Sequence, residues 1–353
     1  MSSSEQARGG RVRRWVLVVG AVGLALSTAW IIGVGFDKTL AAFVKIGWVG
    51  FLAMCATYLV PIGTLATGWL VLDPKATLRK WPAFYFARLV RDTSGELLPF
   101  SSLGGFVFGA RAAMLGGVEP ATAISTTVVD VTAEFISQLG YAALGLALLA
   151  YRPQSSAESQ QILSTSLFGL AAAVVAAIVF VLVQRRASAY IERAVGRWAP
   201  SALAQTSAVT ASLHALYQRP GPLTLSTILH FISWVVAALG VWAGLWVAGE
   251  HQSVRTILGL ESLIYAVRSI GFAAPMGLGV IETGYVLVGG LFGLPADFCL
   301  ALSLIKRARD IAVGLPALAL WQVLEGRRLL TIPKADAPLT AAELAAQKRN
   351  DAD

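Results

Sequence analysis

Residues 223–249 read LTLSTILHFISWVVAALGVWAGLWVAG, an apolar run without a single charged side chain. About 20 helical residues cross the hydrocarbon core of a bilayer, so this run is long enough to span it. A segment inside lipid must satisfy its own backbone hydrogen bonds, which favours an α-helix. A β-barrel would show short segments of alternating hydrophobicity, and the sequence contains none. The stretch therefore predicts a transmembrane helix in an all-α protein.

The rest of the sequence repeats this pattern. Hydrophobic residues make up 56% of the chain and charged residues 14%, whereas a soluble domain carries about 25% charged residues. We predict an all-α integral membrane protein with about six full transmembrane helices and two re-entrant segments broken by proline and glycine, or eight spans if the broken segments also cross. The full spans are 15–36, 48–72, 121–150, 162–184, 223–249 and 296–324, and the broken segments are 84–118 and 254–293. A membrane domain at 15–325 thus lies between cytoplasmic tails at 1–14 and 326–353, the second of which we expect to be disordered.

The positive charge of the chain indicates its topology. The net charge is +8, and the basic residues gather at the ends of apolar runs, as they do in the cytoplasmic loops of membrane proteins. We therefore do not expect nucleic-acid binding. The charges place both termini, residues 73–80 and the linker 185–222 in the cytoplasm, and 152–161 and 250–253 outside. Residues 190–198 have apolar side chains at helical spacing, which fits either a helix on the membrane surface or a solvated connector.

The sequence gives little support for metal or cofactor chemistry. Cys55 and Cys299 both lie in apolar runs, as small buried residues do, and suggest neither a disulfide nor a metal site. His214, His230 and His251 are scattered along the chain. The sequence has no phosphate-binding P-loop, so we do not expect it to hydrolyse ATP. We predict no metal, no cofactor and no catalytic residue.

The two broken segments resemble each other. Proline and glycine interrupt both, as helix-breaking hinges: Pro99, Gly104 and Gly105 in the first, and Pro275, Gly277 and Gly279 in the second. In each copy a long span with ionisable residues follows. We predict an internal repeat, with copies at about 81–150 and 254–324. If both broken segments are re-entrant hairpins, the copies have opposite orientations, as in many transporters. If each is two full spans, the charges fit equally well.

Ionisable side chains inside the apolar segments are the candidate functional residues. Each costs about 2.5–3.5 kcal/mol at the bilayer centre, so these groups must pair or line a wet cavity. They are Arg88, Arg91, Arg111, Arg268, Lys306, Arg307 and Arg309, together with Asp92, Glu96, Asp130, Glu134, Glu261, Glu282 and Asp310. For binding a lipid headgroup or for gating we predict a set of five: Arg111, Asp130, Glu134, Glu282 and Arg309.

The partners of these charges allow more than one arrangement. If the two repeats pack together, Asp130 and Glu134 would face Lys306 and Arg309. Arg88, Arg91 and Asp92 could instead extend to the cytoplasmic surface, and buried pairs could simply stabilise the packing.

Around these residues the sequence resembles a known family. The signatures are Leu97-Leu98-Pro99, Gly104-Gly105, Arg111 and Asp130/Glu134 in the first half, and Pro275-x-Gly277-x-Gly279-x-x-Glu282 with Arg307 in the second. They are similar to those of a flippase-like family that includes the membrane part of lysylphosphatidylglycerol synthases, and the similarity covers about residues 15–325. Many relatives carry an acid directly after the second glycine, where this chain has Phe106. That departure looks more like the branch associated with hopanoid synthesis, and it implies a multi-pass protein of the bacterial inner membrane.

The resemblance implies a lipid transporter or flippase whose polar groove holds the headgroup of a hopanoid or similar amphipathic lipid. Its partners would be that lipid and proteins of lipid synthesis or export. The charges alone indicate only an amphipathic lipid or small amphiphile. Proton coupling through Glu134 or Glu282 is compatible with the sequence but not required by it.

Two other functions stay open. One is an intramembrane lipid-modifying enzyme, for example with an Asp130–Glu134 dyad, and the other is a scaffold for a lipid-synthesis complex. The aminoacyl-lipid synthases of the family use an added soluble catalytic domain, which we do not expect the short segment after Leu330 to supply.

Overall fold

A computed structural model of the chain describes residues 36–97, 102–151, 203–270 and 280–331, together with residue 171. Within these residues the regular structure is entirely helical, which confirms the predicted all-α class. Nine α-helices occur in this part of the chain: α1 (Phe36–Leu70), α2 (Trp81–Leu97), α3 (Ser102–Leu115), α4 (Pro120–Ala150), α5 (Leu203–Tyr217), α6 (Pro220–Val247), α7 (Val254–Ile270), α8 (Val280–Leu291) and α9 (Ala296–Thr331). A 3₁₀ turn at Leu78–Lys80 precedes α2.

Several sequence predictions fall partly or wholly outside the described residues. The spans at 15–36 and 162–184, the surface helix at 190–198 and the tail at 1–14 are in this group, apart from Phe36 and residue 171. The linker 185–222 contains α5 and the first turn of α6. The start of the C-terminal tail, predicted as disordered from 326, is still helical because α9 continues to Thr331.

Among the described residues, three helices are long and apolar enough to cross a membrane: Ile46–Leu70 within α1, α4 and α6. They correspond to the predicted spans at 48–72, 121–150 and 223–249. Large apolar side chains on their outer faces are exposed, including Trp48 at 68% and Val60 at 59%. Such exposure suits contact with lipid tails rather than water. The predicted span at 296–324 is the first part of α9, which carries a dense group of charges in addition to its apolar residues.

Local sequence accounts for where these helices begin. The backbone of α1 breaks at Gly47, whose φ of 74° favours glycine, and the apolar span starts next to it. Pro120 opens α4, and the preceding Glu119 accepts hydrogen bonds from the amides of Ala121 and Thr122 at 3.0 and 2.8 Å. These amides lower the pKa of the Glu119 carboxyl, which lies at the exposed end of the helix.

Each broken segment is a pair of short helices. The first is α2 packed on α3, of 17 and 14 residues, and the second is α7 packed on α8, of 17 and 12 residues. The described part of each helix is shorter than the roughly 20 residues needed to cross the hydrocarbon core. The predicted hinges Pro99, Pro275, Gly277 and Gly279 lie outside the described residues. Gly104 and Gly105, also predicted as hinges, instead lie inside α3, where Gly105 allows the backbones of α2 and α3 to approach closely.

The centre of the fold is a close contact between α1 and α6. Thr57 Oγ1 donates to the carbonyl of Gly240 at 3.2 Å, and Ser233 Oγ donates to the carbonyl of Pro61 at 2.9 Å. As the residue number rises along α1 its partner number falls along α6, so the two helices are antiparallel. Small residues and interhelical hydrogen bonds allow this approach, as in other membrane helix pairs.

The long helices α4 and α9 each pack on one helix of this pair and on one helix of a short-helix pair. α4 contacts α6 and α7, and α9 contacts α1 and α2. The contact faces again contain glycine: Gly145 of α4 lies against Ser262 of α7, and Gly314 of α9 lies against Thr93 of α2. The two hairpins are therefore held between long helices from both halves of the described chain.

The contact between α1 and α6 can be tested at Gly244, where an added methyl group would collide with the side chain of Met54. We expect Gly244→Ala to destabilise the folded protein by about 1–3 kcal/mol through overpacking. Thermal unfolding of the purified protein in detergent would measure this as a lower Tm. Adding Met54→Ala should restore part of the loss.

Gly290→Ala is the matched control, because no atom lies within 4 Å of the added methyl group at this exposed position of α8. We expect its Tm to be unchanged or higher. An equal loss for Gly244→Ala and Gly290→Ala would contradict the described contact.

Candidate functional site

Two helices bring a group of opposite charges together inside the protein. Arg88 of α2 contacts Asp130 of α4 at 3.1 Å, Glu134 of α4 at 3.2 Å and Asp92 of α2 at 2.8 Å. Arg91 also contacts both Asp130 and Glu134. The side chains of Arg88, Arg91 and Asp130 are 1%, 3% and 0% exposed. We call these five residues the first charged cluster.

The burial of the two arginines rules out one of the open alternatives. Arg88 and Arg91 do not extend to the cytoplasmic surface, because their guanidinium groups are buried against acids of α4. The predicted pairing of Asp130 and Glu134 with Lys306 and Arg309 is wrong as well. Asp130 and Glu134 each contact both arginines of α2, and Lys306 contacts Glu261 instead.

A histidine completes this cluster. His230 of α6 is fully buried, and its Nε2 lies 3.3 Å from Asp130 Oδ1. Its Nδ1 lies 2.8 Å from the carbonyl oxygen of Ser226. His230 is not among the predicted site residues, because the three histidines are scattered along the sequence. Its position inside the predicted span 223–249 was the available signal.

Three of these residues, Asp130, Glu134 and His230, form the one group in the described part of the chain that could hold a metal ion. Asp130, Glu134 and His230 bring one ligand atom each to within 4.8 Å of one another. Arg88 and Arg91 already contact both carboxylates, so a divalent cation would add positive charge beside two guanidinium groups. The arrangement is better described as an ion-pair network than as a metal site.

A second charged cluster links α7, α8 and α9. Lys306 contacts Glu261 and donates to the hydroxyl of Tyr285 at 2.6 Å, and Tyr285 donates to Glu261 at 2.8 Å. Arg307 contacts Glu282. In the first cluster the hairpin of α2 and α3 supplies both arginines and Asp92, and the long helix α4 supplies Asp130 and Glu134. In the second cluster the hairpin supplies the acids and the long helix α9 the bases.

Two further pairs lie between these clusters. Arg309 is 2.6 Å from Asp310, and its guanidinium lies 4.0 Å from the ring centroid of Tyr58 on α1. Glu96, near the end of α2, is 2.8 Å from Arg268, near the end of α7. Among the described residues, this is the ion pair that joins one hairpin to the other.

A cavity of ≈ 340 Å³ opens beside the first cluster. Its charged lining includes Arg88, Arg91, Asp92, Glu96, Glu134 and Arg268. Its other walls are mainly apolar or aromatic, with Tyr58, Ile62, Leu65, Phe106, Trp234 and Tyr265 among them. A smaller cavity of ≈ 50 Å³ adjoins the second cluster and is lined by Lys306, Arg307 and Asp310. Glu96, Tyr265 and Arg268 border both cavities.

The five predicted site residues are only partly brought together. Glu134 lines the larger cavity, and Asp130 lies behind it in the same cluster. Glu282 belongs to the second cluster, and Arg309 lies between the two. Arg111 is elsewhere, because it pairs with Glu325 of α9 at 2.7 Å and borders neither cavity. The larger cavity instead uses Arg88, Arg91, Glu96 and Arg268, which were recognised as intramembrane charges but not as site residues.

Residues 15–317 match the family described as the lysylphosphatidylglycerol synthase TM region. The chain belongs to this family. The match covers most of the sequence and confirms the resemblance found in its motifs, and it identifies a membrane protein of lipid metabolism or transport. No curated protein and no solved structure matches the chain.

The first cluster predicts a large difference between two arginines. We expect Arg88→Gln to destabilise the protein by about 3–5 kcal/mol, because it leaves one guanidinium, that of Arg91, to neutralise the buried Asp130 and the carboxylates beside it. Arg111→Gln removes a partly exposed pair, 36% and 17% exposed, and should cost less than about 1 kcal/mol. The Tm of the two variants in detergent, compared with the unchanged protein, gives the measurement. Equal losses would contradict the burial of Arg88.

Proposed function

We propose that the chain is a lipid transporter of the flippase type, which takes the headgroup of an amphipathic lipid into the larger cavity. The observation that carries this proposal is a cavity lined by charges of both signs and enclosed by helices that can cross a bilayer. Charged groups at membrane depth mark substrate or ion pathways when they line a cavity. The family assignment to lipid metabolism or transport supports the same conclusion.

The size and lining of the cavity fit a headgroup better than a whole lipid. Its ≈ 340 Å³ is at the lower end of the range of about 300–1,000 Å³ for small-molecule sites. Acids and bases line it together, so it offers hydrogen-bond donors and acceptors to a hydroxylated or zwitterionic group. Phe106 and Trp234 add apolar surface for the first part of the lipid tail. The remainder of the lipid would stay in the bilayer.

The proposal includes an inverted internal repeat. The same contact recurs in the two halves at a fixed offset in residue number. Ala83 contacts Gly116, and the residues 176 positions later, Gly259 and Phe292, also contact each other. Met54 of α1 contacts Gly244 of α6. The position equivalent to Met54 is His230 of α6, and the position equivalent to Gly244 is Gly68 of α1; these two residues are in contact as well. α1 and α6 are then equivalent helices, and their antiparallel contact supports opposite orientations of the two copies. Paired hairpins in opposite orientations are typical of secondary transporters.

In the proposed transporter, the ion pair Glu96–Arg268 forms a wall between the larger and the smaller cavity. Both side chains border both cavities, and they join the two hairpins. They are 25% and 33% exposed, so separating them does not strand two fully buried charges. Movement of one hairpin against the other would open this wall and connect the cavities. A headgroup could then pass between them while its tail remains in lipid.

The finer parts of the proposal come from the resemblance in the sequence. We propose about six full spans with two re-entrant hairpins, a location in the bacterial inner membrane, and cytoplasmic termini. Hopanoids or similar amphipathic lipids are the proposed cargo, with proteins of lipid synthesis or export as partners. No catalytic step and no cofactor is assigned to this chain.

Liposomes containing the purified protein test lipid movement directly. A fluorescent or hopanoid-like lipid, placed in one leaflet, should reach the other leaflet faster than in protein-free liposomes. Glu134→Gln removes a charge from the cavity wall and should reduce the rate at least about tenfold, the effect of losing about 1.4 kcal/mol of stabilisation. Arg111→Gln lies outside both cavities and should keep the rate.

A folded, inserted protein that moves no lipid would contradict the transport proposal. Equal rates for Glu134→Gln and the unchanged protein would instead place the pathway elsewhere. Conversion of the labelled lipid to a new product would indicate an enzyme.

The inverted repeat can be tested by the positions of two equivalent loops. Thr77 follows α1 and His251 follows α6, and both residues are exposed. In a protein with Cys55→Ala and Cys299→Ala, we expect His251→Cys to react with a membrane-impermeant maleimide in intact cells. Thr77→Cys should react only after the cells are permeabilised, because antiparallel spans end on opposite sides. Labelling of both cysteines from one side would contradict the repeat.

A further inference from the structure

The two nitrogens of His230 have different environments. Nδ1 lies 2.8 Å from the carbonyl oxygen of Ser226, one turn earlier in α6. A carbonyl oxygen can only accept a hydrogen bond, so Nδ1 must carry a hydrogen. The open question is the second nitrogen: Nε2 is bare in the neutral imidazole and protonated in the imidazolium.

The Nε2 atom faces an acceptor. Asp130 Oδ1 lies 3.3 Å away, and both groups are fully buried. Neither atom has another hydrogen-bond partner within the part of the chain that the structure describes. With Nε2 bare, two lone pairs would face each other in a buried site. A proton on Nε2 turns the same contact into a charged hydrogen bond.

The surrounding charges change their balance with this proton. Arg88 and Arg91 of α2 both contact Asp130, and Glu134 of α4 and Asp92 of α2 complete the first cluster. With a protonated His230 the group holds three cations and three anions. With a neutral His230 one negative charge is left over.

The other helices packed against α6 add no further charge to the balance around His230. α1 presents Gly68 to the imidazole ring, with no side chain. The charged Glu261 and Arg268 of α7 are held by Lys306 and Glu96 respectively. His214 of α5 is exposed and lies next to Gln218.

A route connects the buried pair to the larger cavity. Glu134 lines that cavity with 18% of its side chain exposed. One of its oxygens lies within 4.8 Å of ligand atoms of both Asp130 and His230. Ser233, one turn after His230 on α6, also lines the cavity. A proton from cavity water can therefore reach the pair through a carboxylate that is already at the surface.

We propose that His230 Nε2 and Asp130 Oδ1 form a buried proton-binding site that fills and empties from the larger cavity through Glu134. Only O–H and N–H bonds form and break: a hydronium ion in the cavity gives its proton to Glu134, which passes it to Nε2. The proton alters the charge of a cluster that holds the first hairpin against α4 and α6. This part rests on the proposed lipid transport: the proton is the ion whose gradient drives the movement of the headgroup.

The protonation of His230 can be observed without any transport assay. His214→Gln and His251→Gln replace two exposed residues and leave His230 as the single histidine. The protein, labelled with ¹⁵N-histidine, is studied by NMR in detergent between about pH 5 and 9, the range in which histidine commonly changes charge. We expect two protonated nitrogens at the acid end, and a protonated Nδ1 with a bare Nε2 at the alkaline end. One unchanged state over this range would overturn the proposal.

Coupling to lipid movement needs a second measurement. In liposomes with a pH difference across the membrane, one proton per lipid shifts the equilibrium leaflet ratio about tenfold for each pH unit. His230→Gln, whose amide can always donate to Asp130, should remove this shift while the protein stays folded and monodisperse. Lipid that moves with a ratio independent of the pH difference in the unchanged protein would overturn the coupling. Absence of all lipid movement would contradict the proposed function instead, and the NMR titration would still decide the proton site.

Discussion

Charge neutralisation inside a low-dielectric environment is the constraint on which the rest of this structure depends. Asp130 is fully buried and accepts from Arg88 and Arg91 of α2 while it faces His230 of α6. These contacts fix three helices around one carboxylate. Removing one of them would leave uncompensated charge in a buried site, which costs more than the contact contributes when complete. The position of the first hairpin in the fold follows from this requirement, because both of its buried arginines contact Asp130 and Glu134 of α4.

Small residues make these contacts geometrically accessible. Gly109 of α3 lies directly against the Cβ of Arg91, and Gly105 lies against the backbone of the same residue. A larger side chain at either position would push α3 away from α2. The glycines in this hairpin therefore act through close helix packing, in addition to any effect on the chain turn between the helices. The same applies between α1 and α6, where Gly68 leaves room for the imidazole of His230.

The sequence predicted the fold class and the existence of buried charges, but not the way in which the charges pair. Apolar runs such as 223–249 specify a transmembrane helix by length and composition alone. The pairing of Asp130 depends on the rotation of α2 and α4 about their axes, and no one-dimensional pattern records that rotation. Arg88 and Arg91 were therefore assigned a surface alternative that the structure excludes, and Arg111 was grouped with residues that it does not approach. His230 was missed because its role comes entirely from its neighbours on other helices.

Under the proposed repeat, two pairs of equivalent positions carry opposite charges, whereas Glu134 and Asp310, also 176 residues apart, are both acidic. Asp130 and Lys306 are 176 residues apart, as are Asp92 and Arg268. Two copies with identical charges would place like charges at equivalent points near the α1–α6 contact, and like charges repel. Reversed signs instead allow Glu96 of one hairpin to pair with Arg268 of the other. The reversal also makes the two cavities chemically different, at ≈ 340 and ≈ 50 Å³. In an inverted repeat a second conformation arises when the halves exchange roles. Under the proposed transport, the unequal cavities would correspond to one of these two conformations, with the larger cavity open beside the first charged cluster and His230.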